Sequence, residues 1–538
     1  MNGLPNTLTD DFVSQHLAFH PVDATFMGIS GHDHKLPPMD AEVADREHAS
    51  LIALQRRVGD ASIAETAGER TDLRLMQAQI RLALRELEDR PRYDNPTWYT
   101  SEAAFGVISL LLPSAASRPL DELRALLLKR ITEMSQFLSK GRQYLVGRPI
   151  PAEWAESAKR EARALARLLQ RGIRLHPAWS EKLDPVCAVA AREALQFDAD
   201  LSGHADANPA CGEEYLAFLM KEVHGLPYTP KEAEELAQIG FEESRQELET
   251  MAEQLTPGVE WREQIAQLAL DHPSLDQVIE TYSQWHEIAL EGSTDLLTPA
   301  CDYGLSYQKL PRWAHEIAGD LYFLFYRSPS SEKPGTESVY WIFPPGANEE
   351  AYLRSQNTAM IKSVHVVHHG SIGHHTQNSG ARSAESRLAR LAGTDCASNI
   401  AFLSGGTMIE GWACYAQGLM VEVEGFYSPL ELLLLKQFEM RNAASCLGDI
   451  RLHNGDWSVD QLRTFYSDEV GYDPSRLWSG TVRNSIYPGT RLMYWLGTQA
   501  IRQMRAKWSG TTKDFHNRLL YHGAMPIHWV AEEMGLSL

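Results

Sequence analysis

The chain has 538 residues, 43% apolar and 22% charged, with 27 Pro and 37 Gly, which is material for one or more full cores and excludes a collagen-like, low-complexity or mainly disordered chain. A total of 50 Lys and Arg against 71 Asp and Glu leaves a formal charge of −21, which repels phosphate backbones and anionic head groups, so neither nucleic acid nor a membrane is expected as a partner. Six cysteines without a Cys-x-x-Cys pair argue for buried thiols in a reducing compartment, and the first residues lack a basic and apolar leader, so a cytoplasmic location is expected.

Residues from about 40 to 300 read as helix after helix. Ser117 followed by Pro119, Asp121 and Glu122 marks a helix start, after which Leu120, Leu123, Leu127, Ile131, Met134 and Leu138 recur at three- and four-residue spacing. Lys159, Arg163, Arg167 and Arg171, joined by Arg160 and Arg174, form a basic stripe at steps of four that reads as a solvated helix face. Thr229-Pro230-Lys231-Glu232 is a second start, with Pro at the first helical position and Glu three after the cap.

Strand signal is local. Two aromatic runs, Leu321 to Tyr326 and Ser338 to Phe343, flank a turn-rich Ser-Pro-Ser-Ser-Glu-Lys-Pro-Gly stretch and predict a β-hairpin or two edge strands near residues 320–345. The expected fold class is therefore mainly α, multi-helical with a small sheet. No repeat of 20–50 residues is visible. The working division is a helical half, 1–300, forming cavity walls, and a half carrying the chemistry, 301–538; no linker marks the boundary, and one continuous domain is the alternative.

The least random feature is five histidines in eleven residues, His365, His368, His369, His374 and His375. Imidazole is the commonest neutral metal ligand and titrates near neutrality, so such a cluster points to metal binding, proton transfer or both. In a continuous α-helix His365 and His369 would sit about 40° apart, one turn on, whereas His368 lies about 10 Å from His375 and about 120° out of phase with His374. The second pair can reach the first only if Gly370-Ser371-Ile372-Gly373 breaks the helix, as its two glycines permit. A set of capping histidines at a helix junction is the plainer alternative. Two fragments resembling the zinc-peptidase signature, at His286 and His315, lack the second histidine and read as ordinary helix surface.

Further motifs follow: Gly405-Gly-Thr-Met-Ile-Glu410-Gly-Trp412-Ala-Cys-Tyr415, then Arg441, then Asp449-Ile-Arg-Leu-His453, then Arg483-Asn484-Ser-Ile-Tyr487-Pro488-Gly489 and Tyr494-Trp-Leu-Gly497. Thr407 and Glu410 also fit a capping box, so Glu410 is either a ligand or a cap. Trp412 and Tyr415 read as core or pocket-wall aromatics. Arg483, Asn484, Tyr487 and Tyr494 are candidates to line a substrate pocket, with Arg pairing a carboxylate and Tyr donating to an oxyanion; a Pro-Gly loop packed beside a helix is the alternative.

This order of motifs, with Pro21 to Gly28 and Asn95-Pro96 ahead of it, resembles the bacterial DUF885 family over nearly the whole chain. That family's pattern runs His-Glu-x-x-Pro-Gly-His-His, then Glu-Gly-Trp-Ala-x-Tyr, then Asp-x-x-x-His, then a Pro-Gly segment. The resemblance implies a helical, metallopeptidase-like fold with a divalent metal, zinc first and iron or manganese as alternatives. It matches His368 to the first His, His374 and His375 to the closing pair and Glu410 to the carboxylate ligand. Asp449, His453, Arg441 and His365 would support these ligands, with His453 and Tyr494 as candidates for proton transfer. The sequence departs from the pattern at His369, which stands where the family has the Glu that serves as peptidase base, and at Ile372, which replaces Pro.

The expectation is a metal-dependent enzyme that hydrolyses an amide or other C–N bond of a small amino-acid-like or peptide substrate, with His369 transferring protons or adding a ligand and a homo-oligomer compatible with it. The alternatives are an iron-dependent oxidoreductase or lyase in the same pocket, and a pseudoenzyme that binds metal or ligand without the peptidase base.

Overall fold

Capping chemistry sets where the long helices begin. In the computed structural model, which describes residues 4–61, 66–113, 118–300, 304–321, 326–333, 335, 337–397 and 400–538, Thr229 accepts from the backbone N–H of Glu232, whose carboxylate accepts in return from Thr229, at the head of Pro230–Leu255. Ser428 and Glu431 open Pro429–Asn454 in the same way. Each such reciprocal cap contributes on the order of 1 kcal/mol and fixes a helix start that periodicity alone leaves loose.

The apolar face predicted after Pro119 is the buried face of Leu120–Tyr144: Leu123, Leu127, Ile131, Met134 and Leu138 are inside, whereas Leu120, at the first helical position, is exposed. Ser117 lies outside the described residues. The basic stripe is a solvated face held by acids of neighbouring segments, Arg163 on Asp198, Arg167 on Asp320 and Arg171 on Glu316.

The fold is mainly α. Residues from before and after position 300 share each of three large apolar cores: Pro96–Leu111 shares one with Leu310, Trp313 and Trp341, helices near the N-terminus share one with Gly406–Leu419, and Pro230–Leu255 lies against Pro429–Asn454. No helix among the described residues is long and apolar enough to cross a membrane.

Among the described residues one small sheet interrupts the helices. It consists of β1 (Gly304–Lys309), β2 (Tyr326–Arg327) and β3 (Glu337–Ile342), with β3 in the centre, parallel to β1 and antiparallel to β2. The β2 and β3 pairing is the predicted hairpin, although residues 322–325 of its first run lie outside the described residues. The parallel strand β1 is an addition that the aromatic runs did not announce. Its register places Tyr307 opposite Tyr340 and Tyr340 opposite Tyr326, so three tyrosines form one row across one face of the sheet.

Candidate metal centre

The tyrosine row is the seat of the histidine segment. Tyr340 Oη lies 2.6 Å from His365 Nδ1, and Tyr326 Oη lies 3.2 Å from His375 Nδ1. Between them, the Tyr307 hydroxyl lies so near Gly370 that a Cβ there would approach it to 2.6 Å. His365 and His375 therefore bond tyrosines of the sheet, and of the intervening histidines His369 keeps its ring 6.3 Å from that of Tyr340.

Two distortions of the helix make that division possible. Ile361–His368 is wound as a π-helix, in which hydrogen bonds skip one residue more than in an α-helix, as in His369 N to Val364 O at 3.0 Å; such widened turns recur at functional sites. At Gly373 the chain then breaks, with ψ −122°, and an added Cβ would come 1.9 Å from the His368 carbonyl oxygen. Only glycine fits. The freed backbone groups are taken up locally: the Ser371 hydroxyl donates to Val366 O, Thr376 donates to Ser371 O, and the Trp412 indole donates to Ile372 O at 2.9 Å. The break folds His374 back until its ring lies 5.1 Å from that of His368 and 5.7 Å from that of His369.

Opposite these rings stands Glu410. Its helix, Gly406–Leu419, crosses Leu492–Lys507 at glycine on glycine: a Cβ on Gly411 would meet the Gly497 backbone at 2.6 Å, and one on Gly497 would meet Thr407 O at 2.2 Å. This close approach lets Tyr494, one turn before Gly497, donate a hydrogen bond to Glu410. The capping-box reading of Thr407 and Glu410 gives way here, because the helix begins before Thr407 and the Thr407 hydroxyl accepts from Ile527 N instead. Glu410 Oε2 is 3.9 Å from His368 Nε2 and 3.7 Å from His374 Nε2.

These distances are too long for hydrogen bonds but suit donors grouped about one ion, since two nitrogen or oxygen ligands of zinc, each at about 2.1 Å, stand at most about 4.2 Å apart. Ligand atoms of His368, His369 and His374 all lie within 4.8 Å of one another, slightly wider than that limit, so the rings would draw together about an ion. Burial depresses the basicity of His368 and His374 to about 4 and that of His369 well below its ordinary value, which leaves the neutral imidazoles that metals require. The tautomer of His368 is also set. Gln417 spends its amide N–H on Ser363 O, so its carbonyl oxygen accepts from His368 Nδ1 at 3.3 Å and the Nε2 lone pair is left facing Glu410. Neutral imidazoles converge on a carboxyl group whose proton affinity burial raises above the usual carboxylate range, and this donor set fits a divalent metal, whose charge would offset that burial.

The remaining sequence candidates fall into three places. Arg483 is half-buried with its guanidinium over the Tyr487 ring, within electrostatic reach of Glu410, and Tyr487 lines a cavity of about 530 Å³ beside it. Asn484 is buried, and its backbone oxygen accepts from His453 Nε2. Asp449 and His453 serve the backbone: Asp449 accepts from the N–H groups of Gly489, Arg491 and Leu492 and so holds the Pro-Gly turn at the head of Leu492–Lys507. Arg441 lies over the rings of Tyr472 and Phe438 and makes no capping of Asp449. Trp412 clamps the histidine break, and Tyr415 turns to His516 and Arg505. His375 stands with Tyr326 and His286, outside the three-histidine group. His315 caps Leu310 O.

Several residues of the site carry no motif. Gln417 lies two helical turns after Glu410, on the same stripe, and helical phase alone was sufficient to find it. Asp395, whose carboxyl burial pushes up to about 6, senses Arg327, Glu410 and Arg483, but only tertiary folding brings that loop there.

The sequence from residue 21 to residue 534 matches the model of a family described as bacterial protein of unknown function, DUF885. No curated protein matches the chain. Two solved structures share its fold: one described as "a putative lipoprotein of unknown function from Shewanella oneidensis", with a TM-score of 0.77 at 16% identity over 99% of this chain and 100% of that one, and a "putative lipoprotein from Colwellia psychrerythraea", with a TM-score of 0.70 at 15% identity over 99% and 98%. These descriptions are at odds with a cytoplasmic chain, and the cytoplasmic expectation is withdrawn. It rested on unpaired cysteines and on the makeup of the first residues; the described cysteines are indeed free, but an unpaired thiol records only the lack of an adjacent partner and carries no address.

Proposed function

The chain belongs to the DUF885 family of bacterial proteins, and on that footing we propose that it is a metal-dependent hydrolase of amide or related C–N bonds in small amino-acid-like or peptide substrates. The observation that carries the reading is the grouping of His368, His369 and His374, with the Glu410 carboxylate facing His368 and His374 at 3.9 and 3.7 Å. Those four residues would hold a divalent ion, zinc first, which when bound supplies Lewis acidity for polarising a carbonyl.

The chain's own residues supply the rest. Tyr494 fixes one oxygen of Glu410 by donating its single O–H to it. Arg483, charged and half-buried near Glu410, fits the carboxylate of an amino-acid-like substrate. Gln417 holds His368 in the tautomer that presents Nε2. His369 occupies the position of the peptidase base, so proton transfer at this site falls to an imidazole or to Tyr494.

One observation favours a second reading. His369 belongs to the donor group itself, and a shell of three imidazoles and one carboxylate also suits iron in oxidative or lyase chemistry. The test is to assay the protein loaded separately with zinc and with iron(II) against a panel of amino-acid amides and dipeptides. Turnover with zinc that is lost in Glu410→Gln supports the hydrolase; oxygen consumption by the iron form without hydrolysis supports the alternative. The descriptions of the two neighbours support placement outside the cytoplasm, which cell fractionation of the native host checks.

A further inference from the structure

The helix Pro474–Ile486 carries a row of side chains of which the hydrolase reading uses only one member. With 3.6 residues per turn, Arg476, Gly480, Arg483 and Tyr487 fall within about 60° of one another, and the backbone bond from Tyr487 N to Arg483 O, 3.1 Å long, carries the turn to the last of them. The opposite side of the helix is the packed one, where Thr481, Val482 and Ser485 are buried. The row itself is open. Arg476 is exposed and Arg483 half-buried, and a Cβ on Gly480 would meet no atom within 4 Å.

The row runs from one end of the histidine group to the other. Near its start the charge of Arg476 acts on His365, His369 and Tyr340; burial first, and then that charge, hold His365 down to about 3. Two turns on, the charge of Arg483 acts on Glu410 and Asp395. Seven residues of helix set the two α-carbons about 10 Å apart, so one guanidinium stands at the histidine end of the centre and the other at its carboxylate end. Arg327, acting on Asp395, and Arg491, acting on Glu410, add positive charge at that second end. In a chain of formal charge −21 this is a local reversal of sign. Arg476 makes no ion pair or side-chain hydrogen bond among the described residues, which leaves its fork of donors for an anion.

On the hydrolase reading, from which this inference starts, the scissile C–N bond lies at the metal centre and Arg483 takes the carboxylate on its amine side. We infer that the substrate carries a second anionic group on the acyl side, bound by Arg476, so that it is an N-acyl amino acid or short peptide with a carboxylate at each end. An extended chain advances about 3.5 Å per residue, and two or three residue lengths span the two guanidinium groups. Guanidinium matches each carboxylate with two parallel N–H donors. Water adds across the C–N bond, hydroxyl to the acyl carbon and hydrogen to the nitrogen, and the products are a dicarboxylic acid and an amino acid or peptide.

Three compounds test the inference: N-glutarylglycine, with an anion at each end; N-pentanoylglycine, of equal length without the acyl-side anion; and N-glutarylglycinamide, without the other. Binding to the full chain is measured by calorimetry before zinc is added, and turnover after it. Affinity and kcat/KM at least tenfold higher for N-glutarylglycine than for either of the others are expected, and its advantage over N-pentanoylglycine falls below threefold in Arg476→Gln, a change at an exposed position. No binding of N-glutarylglycine, equal binding of N-glutarylglycine and N-pentanoylglycine, or a preference that survives Arg476→Gln would each overturn it. Absence of turnover for all three compounds counts against the hydrolase reading alone, because calorimetry still decides whether the second anion is recognised.

Discussion

Tyr494 donates its hydroxyl to Glu410 across a helix crossing in which Gly411 and Gly497 touch backbone to backbone. The crossing turns two separate motifs into one piece of chemistry, because the phenol reaches the carboxylate only when nothing larger than hydrogen separates the helices.

Gly497→Ala is therefore expected to push the helices apart, since its methyl group would meet Thr407 O at 2.2 Å. A destabilisation of about 1–3 kcal/mol follows from overpacking, together with weaker metal uptake. Urea denaturation and zinc titration of the same variant check both effects.

Tyr494→Phe keeps the ring and removes only the hydrogen bond to Glu410. Loss of such an outer contact lowers metal affinity by roughly 10- to 100-fold with the fold intact, and Glu410→Gln is expected to lower it further by removing the only charged donor of the group. Competition with a chromophoric chelator measures both.

The tyrosine row gives a paired prediction. Tyr340→Phe strips His365 Nδ1 of a partner at 2.6 Å in a buried setting and is expected to cost about 1–3 kcal/mol. Tyr307→Phe removes a buried hydroxyl that has no hydrogen-bond partner among the described residues and is expected to be neutral or stabilising. Equal losses in thermal melts of the two variants would refute the assignment of His365 to Tyr340.

Glu161 supplies the pH dependence. Burial raises its carboxyl from 4.5 to about 7 despite hydrogen bonds from Thr100 and Ser101, so the folded chain binds a proton there that the unfolded chain has released. Its contribution to stability is fully present below about pH 4.5 and is lost as pH rises through about 7. Glu161→Gln is expected to flatten the fall in unfolding free energy between pH 5 and 7, by up to about 1.4 kcal/mol per pH unit. Denaturant titrations at several pH values show whether the two slopes differ.

The break at Gly370 to Gly373 was legible in the sequence because the histidine pairs are out of phase on any continuous helix, and only a glycine-permitted fold-back reunites them. Local signals such as the Thr229 cap and the Leu123 to Leu138 stripe were legible for the same reason: their causes lie within a few residues. The tyrosine row was not, since the register of β1 on β3 joins residues 33 apart through a parallel pairing with no local signature. Trp412 read only as a core or pocket-wall aromatic; it is core, and its clamping role was hidden because its partner, the Ile372 carbonyl, becomes available only once the helix has broken. Thr407 matched a capping pattern, yet the helix starts ahead of it, and the carboxylate of Glu410 is left for the histidines.

The central claim is a single divalent ion held by His368, His369, His374 and Glu410. Anomalous diffraction at the zinc edge from crystals of zinc-titrated protein tests it most directly: the account predicts one strong peak within ligand distance of those residues. No peak after titration with zinc, manganese and iron(II), or a peak seated on His375 and Tyr326 instead, would contradict it.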